Sequence, residues 1–118
     1  MKTLQEKITT LNTLVLSGKP LEAFEKFYHH DVAMQENEHE PVVGKDANRQ
    51  REVEFFSNVT GFSENARPLE IAIGENLTMV KWHYDYTHKD WGKKNYTQVS
   101  IQHWKDGQII KEQFFYGT

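Results

Sequence analysis

No cysteine occurs anywhere in the chain, so neither a disulfide framework nor thiolate chemistry is available to it. A long apolar run is missing too. The opening stretch Met1-Lys2-Thr3-Leu4-Gln5-Glu6-Lys7 restores charge before the apolar segment of a signal peptide could form, and no later segment reads as a membrane span. There is no basic block. Fourteen basic against 17 acidic residues give a net charge of −3, and the longest basic pair, Lys93-Lys94, sits in a turn-like segment. A nucleic-acid footprint needs Lys and Arg clustered on one face, so neither nucleic acid nor a membrane is an expected partner. Internal repeats and low-complexity segments are absent as well. N-x-Thr sequons at Asn58, Asn76 and Asn95 read as chance matches in an Asn- and Thr-rich chain without an export signal. The expectation is a cytoplasmic protein, and its 118 residues are enough for one core, hence one domain over residues 1–118.

What is present is a change of period along the chain. Leu4, Ile8, Leu11 and Val15 recur as the stripe of an amphipathic helix, predicted over residues 2–17. Gly18 stops it, and Pro20 starts a second helix, over 20–29, with Leu21, Phe24, Phe27 and Tyr28 as its stripe. Val32 to Glu36 alternates in part and reads as a short strand, followed by a polar loop ending at Pro41. A third helix is predicted over 45–58, its first half almost wholly polar, with Ala47, Val53, Phe55, Phe56 and Val59 as its anchors. Beyond residue 66 the period is two: Leu69 to Ile73, Val80 to Tyr86, Tyr96 to Trp104 and Ile109 to Tyr116, the last two joined by the hairpin signal Asp106-Gly107. Helices followed by antiparallel strands predict an α+β domain with the helices on one face of a curved sheet.

Three segments carry a resemblance. Phe27-Tyr28-His29-His30-Asp31-Val32-Ala33-Met34-Gln35-Glu36-Asn37, Gly44-Lys45-Asp46-Ala47-Asn48-Arg49 and Trp104-Lys105-Asp106-Gly107-Gln108-Ile109 resemble, in order, three segments of the SnoaL-like branch of the nuclear-transport-factor-2-like superfamily. They match its helix-to-first-strand junction, the opening of its third helix and its last hairpin. The resemblance implies a cone: a curved, antiparallel-rich sheet wrapped around three helices from the N-terminal half, with a pocket between helices and sheet. It also implies homodimers packed through the outer face of the sheet. Fold does not fix chemistry, and this scaffold serves isomerases, dehydratases, hydrolases and cyclases as well as relatives with no known reaction.

Aligning Asp31 with the corresponding junction of ketosteroid isomerases places Glu36 at the position of their general base, where burial in an apolar pocket would raise a carboxyl pKa. The positions of their two oxyanion donors correspond to Leu11 and Gln102. Leu11 cannot donate a hydrogen bond, which argues against steroid isomerisation but leaves a carboxylate-plus-amide site, Glu36 with Gln102, open. The same register turns Gln98, Ser100, Gln102, Trp104, Glu112 and Phe114 to the Glu36 face; a slip of one residue would turn Val99, Ile101 and His103 inward instead. Glu36 and Gln102 are equally readable as a structural hydrogen-bonded pair.

Met34, Phe56, Trp82, Tyr84, Gln98 and Glu112 complete the expected ligand-binding wall, although aromatic strand residues such as Trp82 and Tyr84 commonly do no more than pack against helices. Arg49 and Arg51 could clamp an anion or pair with Glu52, Glu54 or Glu36. His29-His30 fall at the end of the predicted helix, and none of the six histidines shows helical or strand ligand spacing, so no metal is expected. Asp31 reads as a backbone-capping junction residue, and no cofactor is expected. The functional expectation is a pocket for a small apolar or carbonyl ligand, with cofactor-free acid–base chemistry of isomerase, cyclase or dehydratase type. The alternative is a non-catalytic dimerisation or ligand-binding domain.

Overall fold

Helix α1 (Leu4–Leu16) is opened by a capping box, in which Thr3 accepts from the Glu6 amide while Glu6 accepts from the Thr3 amide. A computed structural model describes residues 2–117 of the chain, and Met1 and Thr118 lie outside the described residues. Helix α2 (Pro20–Phe27) places Pro20 in its first turn. It ends two residues short of the predicted bound at 29. Tyr28 leaves the helix with extended backbone, φ −98 and ψ 132, and begins strand β1 (Tyr28–Glu36). His29 and His30 are therefore strand residues. The short strand β2 (Val42–Val43) precedes helix α3 (Lys45–Ser57), and β3 (Val59–Phe62) follows it; neither short strand is visible in the sequence pattern. Then come β4 (Arg67–Gly74), β5 (Leu77–His88), β6 (Gly92–Lys105) and β7 (Gln108–Tyr116), the four long strands expected after residue 66. The turn before β7 places Asp106 and Gly107 at φ 52 and 82, the left-handed pair that a two-residue hairpin requires.

The sheet runs β2-β1-β7-β6-β5-β3, and β4 also pairs with β5. All neighbours are antiparallel except β1 and β7, which are parallel. The four long strands form the expected antiparallel meander β4-β5-β6-β7; the parallel pair joins β1 to its last strand, and it matters for the site. It sets Met34 beside Glu112 and Glu36 beside Phe114, so Glu36 lies one pleat, about 6.6 Å, further along both strands than Glu112.

The core lies between α1, α2 and the concave side of the sheet. Ile8, Val32, Val80 and Ile109 are fully buried, with Phe24, Phe27, Trp82 and Trp104 nearly so. Burying side chains of this size stabilises the fold by roughly 1.5–3 kcal/mol each. Helix α3 is held differently. Ala47 and Val53, expected as anchors, are exposed, and Val59 belongs to β3. The one buried residue of α3 is Asn48, whose Nδ2 lies 3.2, 2.9 and 2.8 Å from the carbonyls of Val32, Val42 and Gly44. A polar helix is thus pinned at its start by an amide and at its end by Phe55, which packs edge-on against Phe56 and Tyr86. Among the described residues no helix is long and apolar enough to cross a membrane.

Candidate functional site

The sheet and the three helices enclose an open cavity of about 1040 Å³, at the top of the roughly 300–1,000 Å³ range usual for small-molecule sites. Alternation along β6 decides its chemistry. Gln98, Ser100 and Gln102 turn inward and are buried, while Val99, Ile101 and His103 turn to the other face. The one-residue slip does not occur. Met34, Glu36, Phe56, Trp82, Tyr84, Gln98, Gln102 and Glu112, all expected from the sequence, line this one cavity.

A directed chain of hydrogen bonds crosses its inner wall. Trp104 Nε1 donates to Thr78 Oγ1 at 2.9 Å. An indole nitrogen can only donate, so the Thr78 hydroxyl turns its own proton to Gln102 Oε1, 2.6 Å away. That orients the Gln102 amide: Nε2 faces Glu112 and donates to Oε2 at 2.7 Å. Tyr28 donates its phenol proton to the other oxygen, Oε1. Glu112 therefore accepts from both sides, an arrangement that suits a carboxylate. Its burial opposes the charge and prevails over the Gln102 and Tyr28 donors, leaving the carboxyl pushed up to about 7. Removal from water likewise holds the Tyr28 and Tyr84 phenols well above their ordinary range, with the Glu112 charge adding to it; both remain neutral donors.

A second carboxyl, unexpected in this role, comes from α3. Glu52 lines the cavity instead of pairing with a neighbouring arginine. Burial pushes its carboxyl up to about 8; the charges of Glu112 and Glu36 add to the shift and Arg51 opposes it. Tyr28, Glu52 and Asn12 are among the cavity residues that sequence reasoning missed. Tyr28 was assigned to a helix stripe, and Glu52 follows from knowing which face of α3 Asn48 pins down. Asn12 breaks the apolar stripe of α1, and that interruption was its only signal.

Glu36 is not in an apolar interior. It stands at the mouth with its side chain 44% exposed, its Oε2 3.1 Å from Arg51 Nη2 and its Oε1 accepting from the Tyr116 hydroxyl at 3.1 Å. The parallel β1–β7 register is the reason, since it carries Glu36 past the level of Glu112. Among the described residues no hydrogen bond joins Glu36 to Gln102; each is held by other partners. Arg51 pairs with Glu36 as one reading anticipated, whereas Arg49 pairs with Glu25 and Asp46. Asp31 does not cap the backbone. Its own amide donates to His29 Nδ1 at 3.0 Å, and its carboxylate lies 3.3 Å from His30 Nε2. The ligand atoms of His29, His30 and Asp31 come within 4.8 Å of one another, but none of the three lines the cavity.

The aromatic wall is continuous. Trp82 and Tyr84 stack with centroids 5.1 Å apart and planes 9° from parallel. Towards the mouth, the Tyr86 and Tyr96 hydroxyls meet at 2.9 Å.

Comparison with known proteins agrees with this architecture. A family model described as a SnoaL-like domain matches residues 2–116. The chain is similar to a Mesorhizobium loti protein described as a SnoaL-like polyketide cyclase, with a TM-score of 0.80 at 25% identity over 98% of this chain and 100% of that one. A protein so described from Jannaschia sp. CCS1 gives a TM-score of 0.80 at 10% identity, covering 95% of this chain and 83% of that one. A protein with a ketosteroid isomerase-like fold from Catenulispora acidiphila, solved with trimethylamine, gives 0.78 at 9% identity over 98% and 88% of the two chains. No curated protein matches the sequence. These likenesses and the family match give the fold as the α+β cone of nuclear-transport-factor-2-like proteins.

Proposed function

The chain belongs to the SnoaL-like domain family, and on that premise we propose that its cavity binds a small apolar or carbonyl-bearing molecule and performs cofactor-free acid–base chemistry on it, of isomerase, cyclase or dehydratase type. The observation that carries this reading is Glu112: a buried carboxyl at the cavity wall, oriented by Gln102 and Tyr28, with a second carboxyl, Glu52, in the same cavity. Two carboxyls titrating near 7 and 8 provide, between those values, one ionised group to take a proton and one protonated group to return it. Glu112 is the base next to a carbonyl and Glu52 the acid. Gln102 keeps Glu112 in place, while Met34, Phe56, Trp82, Tyr84 and Gln98 shape the space around the ligand. Glu36 belongs to the entrance with Arg51.

The alternative of a dimerisation domain with an incidental cavity requires Met34, Phe55, Phe56 and Trp82 to fill the space. Instead they line an opening of about 1040 Å³, which favours the ligand reading. A homodimer through the outer face is compatible with it.

Base catalysis can be tested without knowing the natural substrate. Cyclopentanone, 2-indanone and 2-tetralone exchange the protons next to their carbonyl in D2O, and NMR follows the loss. The wild-type chain should accelerate exchange of at least one of them. Glu112→Gln should remove the acceleration by about 10²–10⁴-fold, and Glu36→Gln should leave it within a few-fold. Acceleration that persists in Glu112→Gln sinks the assignment.

A further inference from the structure

Asn12 is the polar residue that the fold leaves unexplained. It lies in the middle of α1 between Leu11 and Thr13, is only 4% exposed and lines the cavity. Neither its Oδ1 nor its Nδ2 has a hydrogen-bond partner. A buried amide with both ends unpaired is among the costliest groups a core can hold, and a leucine of similar size would suit both the helix and the burial better. A local rule broken without structural compensation points to a ligand.

We propose that Asn12 recognises the ligand of this cavity, and that the ligand is a neutral, planar molecule bearing a cis-amide, as in a lactam or cyclic imide. The chemistry of the wall defines that class. A carboxamide presents one acceptor and one donor side by side, and its complement is a donor and an acceptor side by side on one edge. An anionic head on the inner wall would meet Glu52 and Glu112; of the cations that line the cavity, Arg51 is engaged by Glu36, and Lys93 and Lys94 come from the start of β6. Flat rings suit a cavity walled by the stacked pair Trp82 and Tyr84 and by Phe24. The proposal rests on the cavity being a ligand site, but it does not require Glu112 to act as a base.

The test uses two probes that differ in one donor: 2-quinolinone, which carries the lactam N–H, and N-methyl-2-quinolinone, which does not. Binding to the full chain is measured by calorimetry. The wild type should prefer 2-quinolinone by at least about tenfold. Asn12→Leu should bind the two equally, and without ligand it should melt several degrees higher than the wild type, because an unpaired amide has been replaced by an apolar group. Asn12→Ala, smaller and still helix-compatible, should lose the preference too and covers the case in which leucine does not fit. A wild type that binds both probes equally, or neither, overturns the proposal. So does an Asn12→Leu or Asn12→Ala protein that keeps the preference. A failure of Glu112 as a base, read from ketone exchange, would leave the probe preference intact, so the two ideas can fail separately.

Discussion

Replacing Glu112 by glutamine should flatten the pH dependence of stability. In the folded chain the Glu112 carboxyl titrates near 7 against an ordinary value of 4.5, chiefly because it is buried. A group whose folded value is raised holds its proton more tightly when folded. Its stabilisation is therefore fully present below about pH 4.5 and is lost as pH rises through 7. At 1.36 kcal/mol per pH unit the loss is roughly 3 kcal/mol. Glu52, raised to about 8 with Glu112 among the causes, extends the decline. Glu6 and Glu25, whose carboxyls are held low by the Thr3 backbone and by Arg49, act below this window and do not mask it. The variant can be accommodated because one member of its hydrogen-bond set can rotate. The Gln102 amide is fixed by Thr78 and Trp104, but the Tyr28 hydroxyl can turn to accept. The new side chain would then offer its oxygen to Gln102 and its NH2 to Tyr28. Urea denaturation followed by tryptophan fluorescence from about pH 5 to about pH 8.5 gives the comparison. Wild-type stability should fall by several kcal/mol across that range. The Glu112→Gln protein should lose the Glu112 share and, with the neighbouring charge gone, part of the Glu52 share. A wild-type profile that is flat or rising, or a variant with the same slope, would refute the burial of this charge as the cause.

Two further outcomes are expected. Asn48→Ala should destabilise the chain by about 1–3 kcal/mol in the same denaturation assay, since it strips the amide that ties α3 to the carbonyls of Val32, Val42 and Gly44; a change under about 0.5 kcal/mol would show that the aromatic end alone holds the helix. The outer face, where Met79 and Ile101 pair across β5 and β6 and Val99 pairs with Phe115 across β6 and β7, should form a homodimer that Phe115→Glu breaks, as read by sedimentation; a wild-type monomer at high micromolar concentration, or a dimer indifferent to Phe115→Glu, counts against that interface.

Much of the fold could be read from periodicity because periodicity reports burial directly. The 3.6-residue stripe of α1 and the alternation of β5, β6 and β7 each follow from one face meeting the core. What could not be read depends on distant partners. Tyr28 continues the aromatic spacing of Phe24 and Phe27, yet it leaves the helix because β1 pairs with β7, whose Ile109 lies opposite it. The strands β2 and β3 span two and four residues, too short to show a period. Helix α3 offered five apolar anchors to the eye, and its anchoring fell largely to an asparagine instead.

The site divides along the same line. The inward register of Gln98, Ser100 and Gln102 was legible because three polar residues at alternate positions in a small domain must either face water or satisfy one another. Gln98 donates to Ser100 Oγ at 3.1 Å, while Gln102 is satisfied by Thr78 and Glu112 in the relay from Trp104. The inward face of Glu112 was legible too, but the depth of Glu36 relative to it was not, because that turns on whether β1 meets β7 parallel or antiparallel. Parallel pairing sets Met34 opposite Glu112 and carries Glu36 on to the rim. The carboxyl that lies deep in the cavity is thus that of Glu112 on the neighbouring strand, where burial raises it to about 7. Asn12 shows the limit from the other side. A single polar residue in an apolar helical stripe looks like noise in one sequence, and it becomes informative only when the structure leaves its amide without a partner.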